Sequence, residues 1–365
     1  MANKNLNNAK EQKNDEFYTQ LVDIENELRH YKTHFKGKVV LCNCDDPYES
    51  NFFKYFAMNF NVLGLKKLIC TCYAESPIIY TQLSLFGDEE EYGRESNGTP
   101  YVIQITKVED YNGDGAVDLQ DVEHLLKTKA GKPKKLKGNG DFRTEECIEY
   151  LKEADIVVTN PPFSSFRPYI AQLLEYKKSF ILMCRMTVLH YKEIFPHIRD
   201  DELWTGYGFN LSVVYKTPYT NMEEANRKFV KGKGYDPDDG YVKVPAICWI
   251  TNLDIQKRHE PIILYKKYTP EEYPHYENFD AIDVGKLSDI PMDYYGMMGV
   301  PDTFFDIYNP NEFEIIGIGS GDLAKEIGVG KNYRGRTDVA YIDNEINKCP
   351  YSRIIIRRKQ NGDQT

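Results

Sequence analysis

The chain has no apolar run long enough to cross a bilayer, and residues 1–16 are polar, rich in Asn and Lys, with no apolar segment. A membrane-spanning protein and a cleaved secretory leader are therefore not expected, and 1–16 read as a flexible leader. Eight cysteines in 365 residues do not make a disulfide framework, so a reducing cytoplasm is the expected compartment. No internal repeat occurs, and the histidines show no metal-ligand spacing. Glycine is missing where a nucleotide-binding sheet would use it, since the first strand-to-helix turn reads Asp46-Pro47-Tyr48-Glu49-Ser50, not GxGxxG. That weighs against nicotinamide dinucleotides, whose pyrophosphate needs close backbone approach at a helix N-terminus. Positive charge is short as well, at 46 Lys and Arg against 56 Asp and Glu, a net −10. A uniformly basic nucleic-acid binder is disfavoured, although phosphate contacts need only local positive charge.

What is present is the make-up of a globular protein, 41% hydrophobic and 28% charged, long enough for one large domain or two modest ones. Leu21, Ile24, Leu28 and Tyr31 space as one helix face. Residues 38–44 read as a buried strand, a helix begins near Ser50, and 67–73 is a second strand. Strand, acidic turn, helix and strand form a βαβ unit, which implies an α/β fold with a mostly parallel sheet. An acidic, glycine-bearing loop over 84–98 precedes a strand at 101–106 and a helix at 121–127. A Lys- and Gly-rich excursion (129–140) and a helix (144–152) lead to the apolar strand 154–159. A helix over 169–176 and strands at 180–184, 211–215, 246–251 and 261–265 follow. After about residue 265 the alternation fades and Tyr, Pro and Asp dominate, so 17–265 is expected as the main domain and 266–365 as a smaller carboxyl-terminal region.

The chemistry concentrates at Asn160-Pro161-Pro162-Phe163, directly after the strand 154–159. Open α/β sheets place ligands at the carboxyl ends of their strands. An amide, a rigid diproline and an aromatic ring suit the capture of a flat, amino-bearing ring; the bland reading is a strand ended by a proline turn with a core phenylalanine. Asp45 and Asp46, with Glu49 behind them, could hold a ribose, or could simply cap the helix that follows. Asp141-Phe142, after Gly140, could take an adenine by its amino group and ring face, or form a turn and cap. Residues 110–121 match the opening of a calcium loop, with Asp110, Asn112, Asp114, the Ala116 carbonyl, Asp118 and Asp121 as oxygen donors and Gly115 at the sharp turn. The final position is Asp, not Glu, and a strand precedes the loop; the plain alternative is a solvated turn. Cys42/Cys44 and Cys70/Cys72 could offer thiolates to zinc, but C-x-C is shorter than the usual structural spacing and suits half-buried strand cysteines equally. Lys331, Arg334, Arg336 and Arg353 stand in a basic stretch that could contact phosphates, or be an ordinary solvated surface.

Taken together, these segments resemble a known family. Phe17-Tyr18-Thr19 looks like the cofactor-contacting segment of DNA adenine methyltransferases, Asp46-Pro47 like the start of their first cofactor motif, Asp141-Phe142 like the adenine-contacting pair, and Asn160 to Phe163 like their catalytic NPPF motif. Residues 13–20, 42–47 and 50–56 are similar to the EcoRI-like adenine-specific DNA methyltransferases, and Gly299-Val300-Pro301 and Tyr308-Asn309-Pro310 extend the similarity, which covers roughly 13–320. It implies a Rossmann-like core using S-adenosylmethionine, duplex DNA as partner and a target-recognition region at the carboxyl end, with a cognate endonuclease as a further possible partner. The glycine-poor turn departs from the wider methyltransferase pattern and leaves the ribose contact open among Asp45, Asp46 and Glu75. The alternatives are an RNA or protein-glutamine methyltransferase, or a non-catalytic calcium-dependent binding protein on the same scaffold. Protein-glutamine enzymes usually carry tyrosine at the fourth motif position and a glycine-rich turn, and this chain has neither.

Overall fold

Strands built from consecutive β-branched and apolar residues need cover on both faces, and here that cover comes from crossover helices. The computed structural model describes residues 19–43, 50–73, 100–127, 133–216 and 224–360. The chain divides into two compact units, Met1–Met186 with Gly208–Leu253, and Thr187–Tyr207 with Asp254–Thr365.

In the first unit, helix α1 (Leu21–Leu28) buries Ile24 and Leu28, as its apolar spacing predicts. It leads to β1 (Val39–Asn43), α2 (Asn51–Met58), β2 (Lys67–Thr71), β3 (Tyr101–Ile105), α3 (Leu119–Lys127) and β4 (Lys134–Lys135). Then come α4 (Glu145–Glu153), β5 (Ile156–Thr159), α5 (Phe166–Glu175), β6 (Ser179–Arg185), β7 (Leu211–Lys216), α6 (Glu224–Gly232) and β8 (Tyr241–Thr251). The strands lie in the order β4-β3-β2-β1-β5-β6-β8, with β7 on β8. The central strands β2, β1, β5 and β6 run parallel, while β3 and β8 join antiparallel. Sequence order reverses between β1 and β5, so a switch point opens at their carboxyl ends. Ser50 starts α2 as an N-cap, its hydroxyl accepting from the Phe53 amide at 3.3 Å.

Two expectations change. The strand read at 246–251 begins at Tyr241, because Pro245 and Ala246, the latter at φ +58°, form a bulge over which β7 and β8 lose register. Proline breaks a strand pattern in sequence, and a bulge is where a sheet tolerates it. The strand expected at 261–265 does not form. Its Ile262 amide turns to Glu312 Oε2 at 3.2 Å, and Ile263 and Tyr265 stay 87% and 66% exposed.

The second unit holds a small sheet where the periodicity had faded. It comprises β9 (Ile282–Asp283), β10 (Met297–Pro301), β11 (Phe313–Ile318) and β14 (Arg353–Arg358), in the order β9-β10-β14-β11. Ile354, Ile355 and Ile356 form its buried spine. Gly299 in β10 admits Tyr276: a Cβ there would stand 2.1 Å from the Tyr276 hydroxyl. A hairpin of β12 (Tyr341–Asp343) and β13 (Ile346–Lys348) turns through Asn344 and Glu345, both at positive φ, as a tight hairpin requires. Among the described residues no helix is long and apolar enough to cross a membrane.

Candidate active site

The tetrapeptide Asn160 to Phe163 leaves the carboxyl end of β5, beside the switch point. Asn160 is 8% exposed. Pro161 is buried, Pro162 is extended at φ −53° and ψ 129°, and Phe163 opens a short turn that runs into α5. The two fixed prolines therefore hold this segment in one conformation, from the end of β5 to the start of α5.

Polar groups behind the segment tie its neighbours together. Asn43, the last residue of β1, offers its carbonyl to the Thr159 hydroxyl at 2.5 Å, and its side-chain oxygen accepts from the Tyr169 hydroxyl on α5. All three residues are buried, at 5%, 0% and 0% exposure for Asn43, Thr159 and Tyr169. Thr159 immediately precedes Asn160, so β1, β5 and α5 are joined one residue from the motif. On the next strand, the Met183 sulfur receives the Tyr215 hydroxyl at 2.7 Å and the Thr19 hydroxyl at 3.7 Å. Thr19 in turn offers its carbonyl to the Asn51 amide at 2.7 Å, so the segment before α1 meets the start of α2. In the sequence, Thr159, Tyr169 and Met183 carry no mark of this role, and Asn43 shows only as a polar residue ending an otherwise apolar strand.

The expected cofactor residues fall into two groups. Phe17, Tyr18, Asp45, Asp46, Pro47 and Glu75 lie outside the described residues. Thr19, Asp141 and Phe142 are described. The Asp141 carboxylate accepts from the Arg143 backbone amide, Nε and Nη2 at 2.9, 2.8 and 2.6 Å. Those side-chain hydrogen bonds first, then the backbone bond and the cation's charge, hold its carboxyl below the usual carboxylate range. Phe142 is buried at 7% exposure, meets Tyr169 edge-on at 5.0 Å and gives its carbonyl to Gln172 at 3.2 Å. Gly140 before them, at φ +79°, passes so close to the end of β2 that a Cβ would lie 2.1 Å from the Cys72 carbonyl. The groups described at this sheet edge are amides, hydroxyls, a thioether, aromatic rings and the Asp141 carboxylate paired with Arg143. A set that includes a carboxylate suits an adenosine better than a phosphate chain.

The other expected sites resolve differently. In the 110–121 loop, Asp110 accepts from the Gly113 and Gly115 amides, Asn112 from Asp114, Asp114 from Ala116, Asp118 from Gln120, and Asp121 from Tyr111 and Asp118, at 2.7–2.9 Å. Its side-chain oxygens thus serve the loop's own backbone, and among the described residues no group of three or more His, Cys, Asp or Glu is gathered as a metal centre. Cys42 and Cys70 are buried strand thiols and Cys72 is buried just past the end of β2, with Cys44 outside the described residues. Of the expected DNA contacts, Lys331, Arg334 and Arg336 are exposed. Arg353 is corrected: its guanidinium pairs with Asp283 at 2.8 Å, the two side chains only 11% and 5% exposed, and Asp283 also accepts from Tyr276 at 2.6 Å. A cation bound inside the unit in this way is part of its core and not a surface phosphate contact.

Comparison with known proteins shows the family. Residues 5–359 match the family model described as "Adenine-specific methyltransferase EcoRI". The chain is 40% identical to the Type II methyltransferase M.EcoRI of Escherichia coli, covering 98% of both chains. It is 35% identical to the Type II methyltransferase M.MpnI of Mycoplasma pneumoniae, again over 98% of each. With the Type II methyltransferase M.MgeORF184P of Mycoplasma genitalium it shares 33% identity over 97% of this chain and 99% of that protein. No solved structure gives a significant match. By similarity along almost its whole length, the chain belongs to the EcoRI family of adenine-specific methyltransferases.

Proposed function

We propose that Asn160, Pro161, Pro162 and Phe163 carry the catalysis of this adenine-specific DNA methyltransferase. The observation that supports the reading most is the position of Asn160 at the carboxyl end of β5, at the switch point, with Thr159 behind it bonded to Asn43. An adenine N6 is a poor nucleophile because its lone pair is delocalised into the ring. The Asn160 side-chain oxygen and the Pro161 carbonyl each accept an N6 hydrogen, which favours a pyramidal, more nucleophilic nitrogen. Both acceptors are fixed in advance by the diproline, so they are not reorganised during the reaction. Phe163 stacks on the ring. No strong base is required, because the N6 proton becomes acidic as the new bond forms. In a duplex the adenine must first turn out of the helix, at a cost of about a few kcal/mol, partly offset by stacking of about 1–3 kcal/mol.

S-adenosylmethionine supplies the electrophilic methyl group of this family's reaction. Thr19, Asp141 and Phe142, with Phe17, Tyr18, Asp45, Asp46, Pro47 and Glu75, are the residues proposed to hold it. The burial of Phe142 and the Arg143 clamp on Asp141 support a role in shaping the adenosine site over direct ring stacking by Phe142. The proposal also includes cytoplasmic action, a target-recognition role for the carboxyl-terminal unit and a cognate endonuclease as partner. For the 110–121 loop it is a structural role, with calcium the ion its oxygen spacing suits.

Asn160→Ala separates these claims. The variant is expected to bind S-adenosylmethionine by calorimetry about as well as the wild type while losing methyl transfer by at least about a hundredfold. Undiminished transfer would remove Asn160 from the mechanism.

A further inference from the structure

The segment between the helix Gly321–Glu326 and β12 carries three cations and one aromatic ring in six residues, Lys331-Asn332-Tyr333-Arg334-Gly335-Arg336. All four of those side chains are exposed, Tyr333 at 48%, and the Arg334 guanidinium lies 5.0 Å from the Tyr333 ring. Among the described residues no carboxylate pairs with Lys331, Arg334 or Arg336. Like charges at this density repel, and a slack loop would splay them apart. This loop is held from behind.

Asn332 does most of the holding. Its side-chain oxygen accepts the amides of Arg334 at 2.8 Å and Arg336 at 3.2 Å, while its amide group donates to the Asp338 carbonyl at 3.0 Å and to Cys349 Sγ at 3.3 Å. The Asn332 backbone closes the turn with Arg336 and Gly335, both at 2.8 Å, and Gly335 takes φ +71° there. Asn278 binds the two stems together, donating to the carbonyls of Gly330 and Asp338 at 2.8 and 2.9 Å and accepting the Ala340 amide at 2.9 Å. Val329 and Val339, one on each stem, are buried in a cluster with Tyr276, Ala281, Ala324 and Ile355. The backbone is therefore set before any partner arrives, and little ordering cost is left for binding.

We propose that the loop 331–336 is a preformed DNA-docking element of the carboxyl-terminal unit, in which Lys331, Arg334 and Arg336 contact backbone phosphates and Tyr333 contacts a sugar or base. The proposal rests on the chain being a DNA methyltransferase. The partner follows from charge: in a chain of net −10, a cationic loop with no carboxylate partner among the described residues suits a polyanion, and an exposed ring beside an arginine adds a non-ionic contact that a nucleobase or sugar can meet. Arg353, bound to Asp283, takes no part.

The test measures binding of a fluorescein-labelled, mixed-sequence DNA duplex by the full chain across a salt series. Each neutralised phosphate contributes about 0.9 to the slope of log affinity against log salt. Lys331→Gln, Arg334→Gln and Arg336→Gln are each expected to lower that slope by about 0.9, and together by about 2.7. The thermal midpoint should not move, because these side chains are exposed and, among the described residues, pair with no carboxylate. Arg334→Lys with Arg336→Lys keeps the charges and should keep the slope. Tyr333→Ala should weaken binding about tenfold at every salt concentration with an unchanged slope. A triple variant that folds normally and retains the wild-type slope overturns the docking element, and unchanged affinity in Tyr333→Ala overturns the assignment of the ring. A wild-type protein that does not bind the duplex at all would instead count against the DNA reading itself, so the two failures are distinct.

Discussion

Asn43 is an amide at the end of an apolar strand, and what it does depends on two other residues. Its carbonyl takes the Thr159 hydroxyl and its side chain takes the Tyr169 hydroxyl, so three buried polar groups satisfy one another directly behind Asn160. Buried groups of this kind cost about 1–3 kcal/mol each when left without a partner. Thr159→Val keeps the β-branched shape and removes one bond; Tyr169→Phe removes the other. Both variants are expected to lose some thermal stability. If the trio also positions the motif, kcat should fall about ten- to a hundredfold with little change in the KM for S-adenosylmethionine, and Thr159→Ser should restore it. Variants that melt earlier yet turn over at the wild-type kcat would reduce the trio to packing. The carboxylate of Asp141 and the guanidinium of Arg353 teach the converse: each reads as a ligand contact in sequence, and each is bound to a neighbouring side chain in the structure.

At the scale of elements, legibility followed burial. β1, β5 and β6 are continuous apolar runs between turn residues, and such runs are recognisable because parallel strands are covered on both faces. The first half of β8 was hidden by Pro245, whose bulge a periodic pattern cannot express. The segment 261–265 has the apolar content of a strand, but among the described residues it joins no sheet, and Ile263 and Tyr265 stay exposed. β14 was obscured by its flanks: Ile354 to Ile356 sit between Arg353 and Arg357-Arg358, which read as a basic tail until Arg353 and Arg357 prove to pair with Asp283 and Glu314. The motif at Asn160 was legible because diproline after a buried strand is itself a structural statement; its supporting trio was not, since its members lie more than a hundred residues apart in part and meet only through the sheet. The 110–121 loop was legible as a turn, and Asp110 at its head accepts the Gly113 and Gly115 amides. A calcium role predicts a higher Tm on adding calcium, abolished by Asp110→Ala with Asp114→Ala. An unchanged Tm in the wild type would leave the loop as a plain turn.

For the molecule as a whole, a net charge of −10 and a DNA substrate are compatible because charge is distributed unevenly. The exposed cations of the 331–336 loop belong to the carboxyl-terminal unit, whereas Asn160 to Phe163 follow a strand of the other. On the roles proposed for the two units, such a division would let the recognised sequence change while the chemistry proposed for Asn160 to Phe163 stays the same. The central claim is that this chain methylates adenine N6 in duplex DNA at one sequence. Its most direct test is to incubate the full chain and S-adenosylmethionine carrying a labelled methyl group with a duplex pool of random sequence, then map the modified bases. The account predicts the label in N6-methyladenine, confined to a single sequence context. Label on cytosine, or transfer to RNA or protein with the duplex left unmodified, would contradict it.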